Sequence, residues 1–433
     1  MFLKIPRAHY YMSLIEPLRS MLGVVFGEHR KSDQVETFEE AYAKHYEHKN
    51  IVCVAHARVA LYYCLRSYEF SSGDEVLMTP INIPDMVNMI RIAGLRERYV
   101  DILSDDYSID LEDAKTKITS RTKFLFVTHL NGFVPDMEAI QKFAKENQLI
   151  LIQDCTQNVG AKFKGRNIES FCELSFSALC DLKVVHTHMG GAIVSESSTQ
   201  LDKIKKLLKS ELSPLTLSYF SRFLLEDIIA TLILNRYVFS FFVNPLLTLM
   251  NKVMGVENIE SFTKGGGIKI GPVYFLKGLF GGGGNLLKSE IPKGMLYQYS
   301  NLQAKIGLRR LKTLSAVDER RISNSQLLLN QLEVPNKVLA KLETNASHVF
   351  WKFPIRTDKL RELQEHLIRN GIDSARSNLV CLNEYECFNA TDTTPVASYL
   401  SKSSLYLPAH PSLNERDMKN IIDSTNSYFK NNS

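Results

Sequence analysis

Absences narrow this chain before any motif does. Its seven cysteines (Cys53, Cys64, Cys155, Cys172, Cys180, Cys381 and Cys387) are odd in number, and none stands in a Cys-x-x-Cys pair. A disulfide framework is therefore excluded as the basis of the fold, and a reduced, cytoplasmic setting is expected. Charge of one sign is also lacking. The 52 Lys and Arg face 47 Asp and Glu, for a formal net charge of +5, too mild for a nucleic-acid footprint. No uncharged apolar run reaches the roughly 18 residues of a spanning helix. The first thirty residues carry charges and a proline where a signal peptide would have an apolar core. What is present is a 433-residue chain, 45% hydrophobic, enough for one large and one smaller domain.

From residue 51 onward, short β-rich runs alternate with helical stretches. The pattern predicts strands over Ile51–Ala55, Glu75–Thr79, Arg98–Ile102, Phe124–His129, Leu149–Asp154, Phe176–Asp181 and Ala192–Ser195, and helices over 57–68, 84–94, 136–147 and 199–209. Continuously apolar strands belong in a sheet covered on both faces, with helical crossovers. Ligands of such sheets bind beyond the strand carboxyl ends. One long amphipathic helix is expected over Leu302–Leu332, then a small α+β domain containing Val349-Phe350-Trp351-Lys352-Phe353. The expected division is 1–209, 210–294 and 295–433.

Residues 210–294 stand apart from this alternation. A basic lead-in (Lys203, Lys205, Lys206, Lys209) gives way to apolar runs such as Phe223-Leu224-Leu225 and Tyr237 to Phe242. Arg222, Glu226, Asp227, Arg236 and Pro245 interrupt them, and the longest uncharged run, 237–251, has 15 residues. The segment closes on Gly265-Gly266-Gly267 and Gly281 to Gly284, which read as hinges and lack the spacing of a phosphate-binding or dinucleotide loop. Two apolar helices with basic flanks suit a membrane-surface element over 210–260. They suit equally a hairpin buried at a dimer or domain interface. The sequence leaves both readings open.

The chemistry gathers around Lys183. Upstream, the apolar run Leu149 to Ile152 leads into Gln153-Asp154, with Gln157 three residues on; downstream stands Met189-Gly190-Gly191. A buried strand that delivers a carboxylate, then a lone lysine before a Gly-Gly turn, is what pyridoxal phosphate (PLP) chemistry needs. The amine condenses with the cofactor aldehyde, and the carboxylate keeps the pyridine nitrogen protonated. Here the chain resembles the DegT/StrS-type PLP-dependent sugar aminotransferases. The resemblance spans residues 35–208 and 295–430 and runs in order. It takes in Gly73-Asp74-Glu75-Val76, Tyr99-Val100-Asp101-Ile102, His129-Leu130-Asn131-Gly132 with Asp136-Met137, and Gln153-Asp154 with Gln157 and Gly160-Ala161. It continues through Lys183 with Gly190-Gly191, Leu302-Gln303-Ala304 and Leu407-Pro408-Ala409-His410. Each motif is weak alone; their order is what carries the assignment.

The resemblance implies a PLP-dependent transferase fold, an α/β architecture. Its large, mostly parallel-sheet domain has helices on both faces and a smaller C-terminal α+β domain, here with an apolar helical insertion, and it works as a homodimer. Lys183 would bind the cofactor and shuttle the proton, Asp154 would pair with the pyridinium nitrogen, and Gln157 would lie near the ring oxygen. Ile83 falls where the family places a stacking aromatic, beside Asn82. The phosphate cup departs from the family. Its Ser-Gly-Thr reads His56-Ala57-Arg58, its serine five residues before the lysine is Ala178, and its cross-dimer Asn and Arg are Leu296 and Gln298. At about 1 kcal/mol each, three lost contacts lower PLP affinity by roughly two orders of magnitude unless Arg58 compensates. His129 and His410 read as structural.

The implied activity is amino transfer from an amino acid such as glutamate to a nucleotide- or lipid-linked keto-sugar. The competing reading is a non-catalytic, membrane-associated or scaffold member with weakened PLP binding. The expected location is the cytoplasm, with peripheral membrane contact through 210–260 as the open alternative.

Overall fold

A computed structural model describes residues 3–180, 182–246, 248–249, 286–376, 380–388 and 391–432. The glycine runs read as hinges lie outside the described residues. Seven strands form the central sheet: β1 (Asn50–Val54), β2 (Glu75–Met78), β3 (Arg96–Tyr99), β4 (Thr122–Thr128), β5 (Ile150–Asp154), β6 (Leu174–Ala178) and β7 (Gly191–Ser195). Their order is β1-β7-β6-β5-β4-β2-β3. Strands β3, β2, β4, β5 and β6 are parallel, while β7 runs antiparallel to both its neighbours.

Along each inner strand, alternate side chains enter different cores, which is why these strands read as unbroken apolar runs. Val76, Phe124, Phe126 and Ile152 pack with α3 (Ala57–Arg66), α4 (Pro84–Ile92) and α7 (Ser198–Glu211). Leu77, Leu125 and Leu151 pack with α5 (Leu111–Lys117) and α6 (Met137–Glu146). Local signals start these helices: Pro84 opens α4, and Asp136 caps α6 by accepting from the Ala139 amide at 3.0 Å. Ahead of β1 come α1 (Ile15–Val25) and α2 (Val35–His45), and after α7 comes α8 (Leu217–Ile233).

Two expectations need correction. The strand expected at Arg98–Ile102 is Arg96–Tyr99. It ends early because Asp101 turns away to accept the amides of Val396 and Ala397 at 3.0 and 2.8 Å. The single helix expected over Leu302–Leu332 is two, α9 (Asn301–Leu311) and α10 (Leu314–Gln331). The first half lies on α2 of the large domain, with Gly307 so tight against Phe38 that a Cβ would sit 2.3 Å from its ring. The second half packs into the C-terminal core, and the chain bends at Lys312-Thr313 to serve both.

That C-terminal core gathers α10, α11 (Leu360–Arg369), α12 (Pro395–Ser403) and α13 (Glu415–Asn431) around a three-stranded sheet. The sheet comprises β8 (Phe353–Arg356), β9 (Ala375–Arg376) and β10 (Ser404–Leu407), ordered β8-β10-β9. The first residues of the chain reach this domain, where Ile5 bridges Ile372 and Arg7 pairs with Asp373 at 2.6 Å.

Candidate active site

Asp154 ends β5, and Lys183 sits in the loop between β6 and β7, so both meet beyond the carboxyl edge of the sheet. The loop closes on itself. The Leu179 amide donates to Gly190 O at 2.9 Å, Thr187 N to Leu179 O at 3.0 Å, and Lys183 N to Cys180 O at 3.0 Å. Two of its residues, Leu182 (φ 63°) and His188 (φ 67°), hold left-handed backbone without being glycine, a strain that persists only where the surroundings enforce it.

Lys183 is 9% exposed, and its Nζ lies 3.6 Å from the centroid of the Trp351 ring. Burial, aided by the charge of Arg321, brings its pKa down to about 8 against the opposing pull of Cys180 and Asp154. Burial likewise pushes the Asp154 carboxyl up, opposed by Thr156, whose amide donates to it at 2.9 Å, and by the charge of Lys183. Each therefore loses more by leaving water than it gains from the other. Gln157 is buried and accepts the Asn131 amide at 2.7 Å. His129 and His410 are held as structural residues, with Nε2 of each 2.7 Å from Gln153 Oε1 and 3.0 Å from Pro6 O, respectively.

Tyr42, Thr156, Gln157, Ala178, Lys183, Arg321 and Trp351 line the cleft at this point. Of the residues singled out by sequence, it brings together Lys183, Gln157 and Ala178, with Asp154 joined through Thr156. Ile83 is not among the residues that line this cleft; it caps α4 and packs on the main core. His56 precedes α3 in extended conformation, and its Nε2 lies 3.0 Å from the Tyr219 hydroxyl of α8, with Phe223 beside the ring. Burial and the Arg58 charge depress its pKa to about 3, so the imidazole is neutral. Arg58 pairs with Asp85 at 3.0 Å, a carboxylate that also holds Lys288. Ala57 is buried, and Gly191 approaches it so closely that a Cβ would lie 2.7 Å from the Ala57 N and Cα.

Sequence reasoning missed Trp351, Arg321, Tyr42 and Lys352. Trp351 reaches Lys183 from the C-terminal domain because Gly132 gives way. At φ 85°, a Cβ on Gly132 would sit 2.4 Å from the Trp351 nitrogen, and the Val349 and Lys352 amides donate to Gly132 O and Asn131 O. The Asn131-Gly132 motif was thus a legible signal for a close approach, though not for which residue approaches. Half-buried Lys352, its pKa lowered by desolvation and by the charge of Lys183, adds a second amine above the same indole at 4.5 Å.

These residues fit pyridoxal phosphate. A buried amine of lowered pKa faces the cleft, and a buried carboxylate, braced by Thr156, lies within its field. At the phosphate end, the first amides of α3 are unused by the helix and point to an anion site.

The model of the DegT/DnrJ/EryC1/StrS aminotransferase family matches residues 26–220 and 279–426 and leaves 221–278 unmatched. The GDP-perosamine synthase of Escherichia coli is 30% identical over 173 residues, 40% of this chain and 48% of that protein. At this level of identity the chain spans about half the length of the curated relatives it matches. The GDP-perosamine synthase of Caulobacter vibrioides is 22% identical over 399 residues, 89% of this chain and 87% of that protein. The crystal structure of S. venezuelae DesV in complex with a ketimine intermediate superposes with a TM-score of 0.70 at 19% identity, covering 98% of this chain and 99% of that one. At that identity the likeness shows the fold.

Proposed function

The chain belongs to the DegT/DnrJ/EryC1/StrS aminotransferase family, and from that premise we propose that it is a PLP-dependent sugar aminotransferase. Its amino donor is an amino acid, glutamate by family resemblance, and its acceptor is a nucleotide- or lipid-linked keto-sugar. One observation carries the reading: Lys183 is buried at the sheet's carboxyl edge, in the field of Asp154, with its pKa lowered to about 8.

Bound in this cleft, PLP supplies an aldehyde carbon and an electron-accepting ring. The remaining work falls to the chain. Asp154 holds a proton at the ring nitrogen by presenting a buried carboxylate. Lys183 takes up and returns a proton at Nζ, because its pKa lies close to working pH. The Trp351 face favours the ammonium form while that proton is held, and packing from both domains keeps water from it. Gln157 braces the Asn131 turn that seats Trp351. Arg321, which lines the same cleft, adds positive charge toward a carboxylate donor or a phosphate-linked sugar. Over both half-reactions, the donor becomes a keto acid and the ketone becomes an amine.

The test is the visible absorption of the purified chain. A yellow band that disappears in Lys183→Ala supports the proposal. A protein that stays colourless after PLP is added supports the non-catalytic reading, which one observation favours. Leu296 packs into the core and Gln298 donates to Leu212 O at 3.2 Å, so neither resembles a phosphate ligand. The partner reading rests on a surface: Leu18 and Leu22 of α1 and Leu225 and Leu232 of α8 are exposed. They suit a second copy of the chain or a lipid surface. Among the described residues no helix is long and apolar enough to cross a membrane. Sedimentation with and without anionic vesicles separates the two, and flotation that survives removal of 210–260 excludes membrane contact through that segment.

A further inference from the structure

We propose that Asp227, on α8, is a positioning residue for the loop that carries Lys183, holding the reactive amine in its buried place through His186 and His188. The inference rests on reading Lys183 as the reactive amine, though its test does not. Asp227 is 0% exposed, as are both histidines. Its Oδ2 meets His188 Nδ1, and its Oδ1 lies 3.4 Å from His186 Nε2. The Tyr10 hydroxyl donates to the same Oδ1, and the Tyr10 ring stands edge-on to His186 at 4.8 Å. On its far side, His188 Nε2 meets the Ser20 hydroxyl of α1 at 2.8 Å. One carboxylate thus ties α8 and the N-terminal segment to the loop just after Lys183.

The loop needs such an anchor. Leu182 and His188, one immediately before Lys183 and one five residues after it, both hold left-handed backbone, and the bonds within the loop run through Leu179, Cys180, Thr187 and Gly190. The face toward α8 is fixed by the two imidazoles and by Leu182, which packs with Tyr10, Met12 and Ala230. Burial works to raise the Asp227 pKa, yet the imidazoles of His186 and His188 hold the carboxyl well below the usual range. The anchor therefore stays ionised. It lies in the stretch that the family model leaves unmatched, so it belongs to this chain's own elaboration. The hydrogen-bond order Ser20–His188–Asp227 has the sequence of a hydrolytic triad. With Ser20 3% and His188 0% exposed, however, no acyl group reaches that hydroxyl.

The experiment uses the full, cofactor-free chain, with acetic anhydride labelling of Lys183 followed by peptide mass spectrometry across pH. The wild-type midpoint is expected near 8. In Asp227→Asn the loop relaxes and the midpoint rises by about one unit, a tenfold smaller neutral fraction at pH 7. Hydrogen exchange of 182–190 should accelerate with it. Ser20→Ala should shift the midpoint the same way by less, and it decides the matter if Asp227→Asn does not fold. Leu224→Ala, a buried contact on the same helix, should lower Tm and leave the midpoint alone. A folded Asp227→Asn with the wild-type midpoint overturns the proposal. So does a Ser20→Ala indistinguishable from wild type where Asp227→Asn is unfolded, or a Leu224→Ala shift as large as that of Asp227→Asn. A colourless protein with the predicted midpoint shifts would sink the aminotransferase reading alone.

Discussion

Lys183 and Asp154 lie buried beyond the carboxyl edge of the sheet, each shifted more by burial than by the other's charge, whereas His56 and Arg58, at the start of α3, are already committed to Tyr219 and Asp85. One end of the site keeps reactive groups in a low-dielectric cleft, where burial tunes them. The other turns His56 to α8 and Arg58 to Asp85 of α4, and leaves an anion the backbone amides of α3. The contrast teaches that a site's chemistry and its grip on a cofactor can diverge within one fold. On the proposed reading, covalent attachment at Lys183 would let the second weaken before the first does.

The sharpest way to break this contrast is Lys183→Ala. Turnover should fall by about three orders of magnitude or more, since it removes both attachment and proton transfer, with the yellow band lost in the same spectrum. Asp154→Asn keeps the shape and removes the charge. A loss in kcat of roughly 100-fold or more is expected, and an unchanged kcat would show that the ring nitrogen finds its counter-charge elsewhere.

The third prediction concerns stability. A lysine whose pKa falls from 10.5 unfolded to about 8 folded loses its proton on folding between those values. The cofactor-free chain should therefore gain stability as pH rises from about 8 to about 10.5, by up to about 3 kcal/mol. Lys183→Met should hold that gain already at pH 7 and flatten the rise, as urea unfolding at pH 7 and pH 10 would show. The smallest effect belongs to the other end: Arg58→Ala should weaken PLP binding by about tenfold or less, measured by titration at 420 nm or thereabouts. A hundredfold loss would mean that Arg58 leaves Asp85 to hold the phosphate.

The convergence of Asp154, Gln157 and Lys183 was legible because these residues lie on one short stretch. An apolar strand, Gln153-Asp154, Gln157, Lys183 and Gly190-Gly191 carry their meaning in spacing alone. The sheet was legible for the same reason, as each inner strand is apolar on both faces. The bend at Lys312-Thr313 was hidden, because Leu311-Lys312-Thr313-Leu314 contains neither glycine nor proline, and only packing against two domains breaks the helix. Asp227 read as an interruption in an apolar run; its partners stand 39 residues away at His188 and 217 away at Tyr10. Trp351 read only as part of an apolar stretch in the C-terminal domain; it stands two residues before the strand that begins at Phe353.

Trp351 is the chain's single tryptophan, and it rests on the Lys183 amine. The chain's indole emission therefore originates within 4 Å of that nitrogen, carried there by the smaller domain and admitted by the missing side chain at Gly132. Any aromatic guest in the cleft must quench this light, and any parting of the two domains must shift its colour. The molecule thus carries its own unlabelled reporter of occupancy and closure.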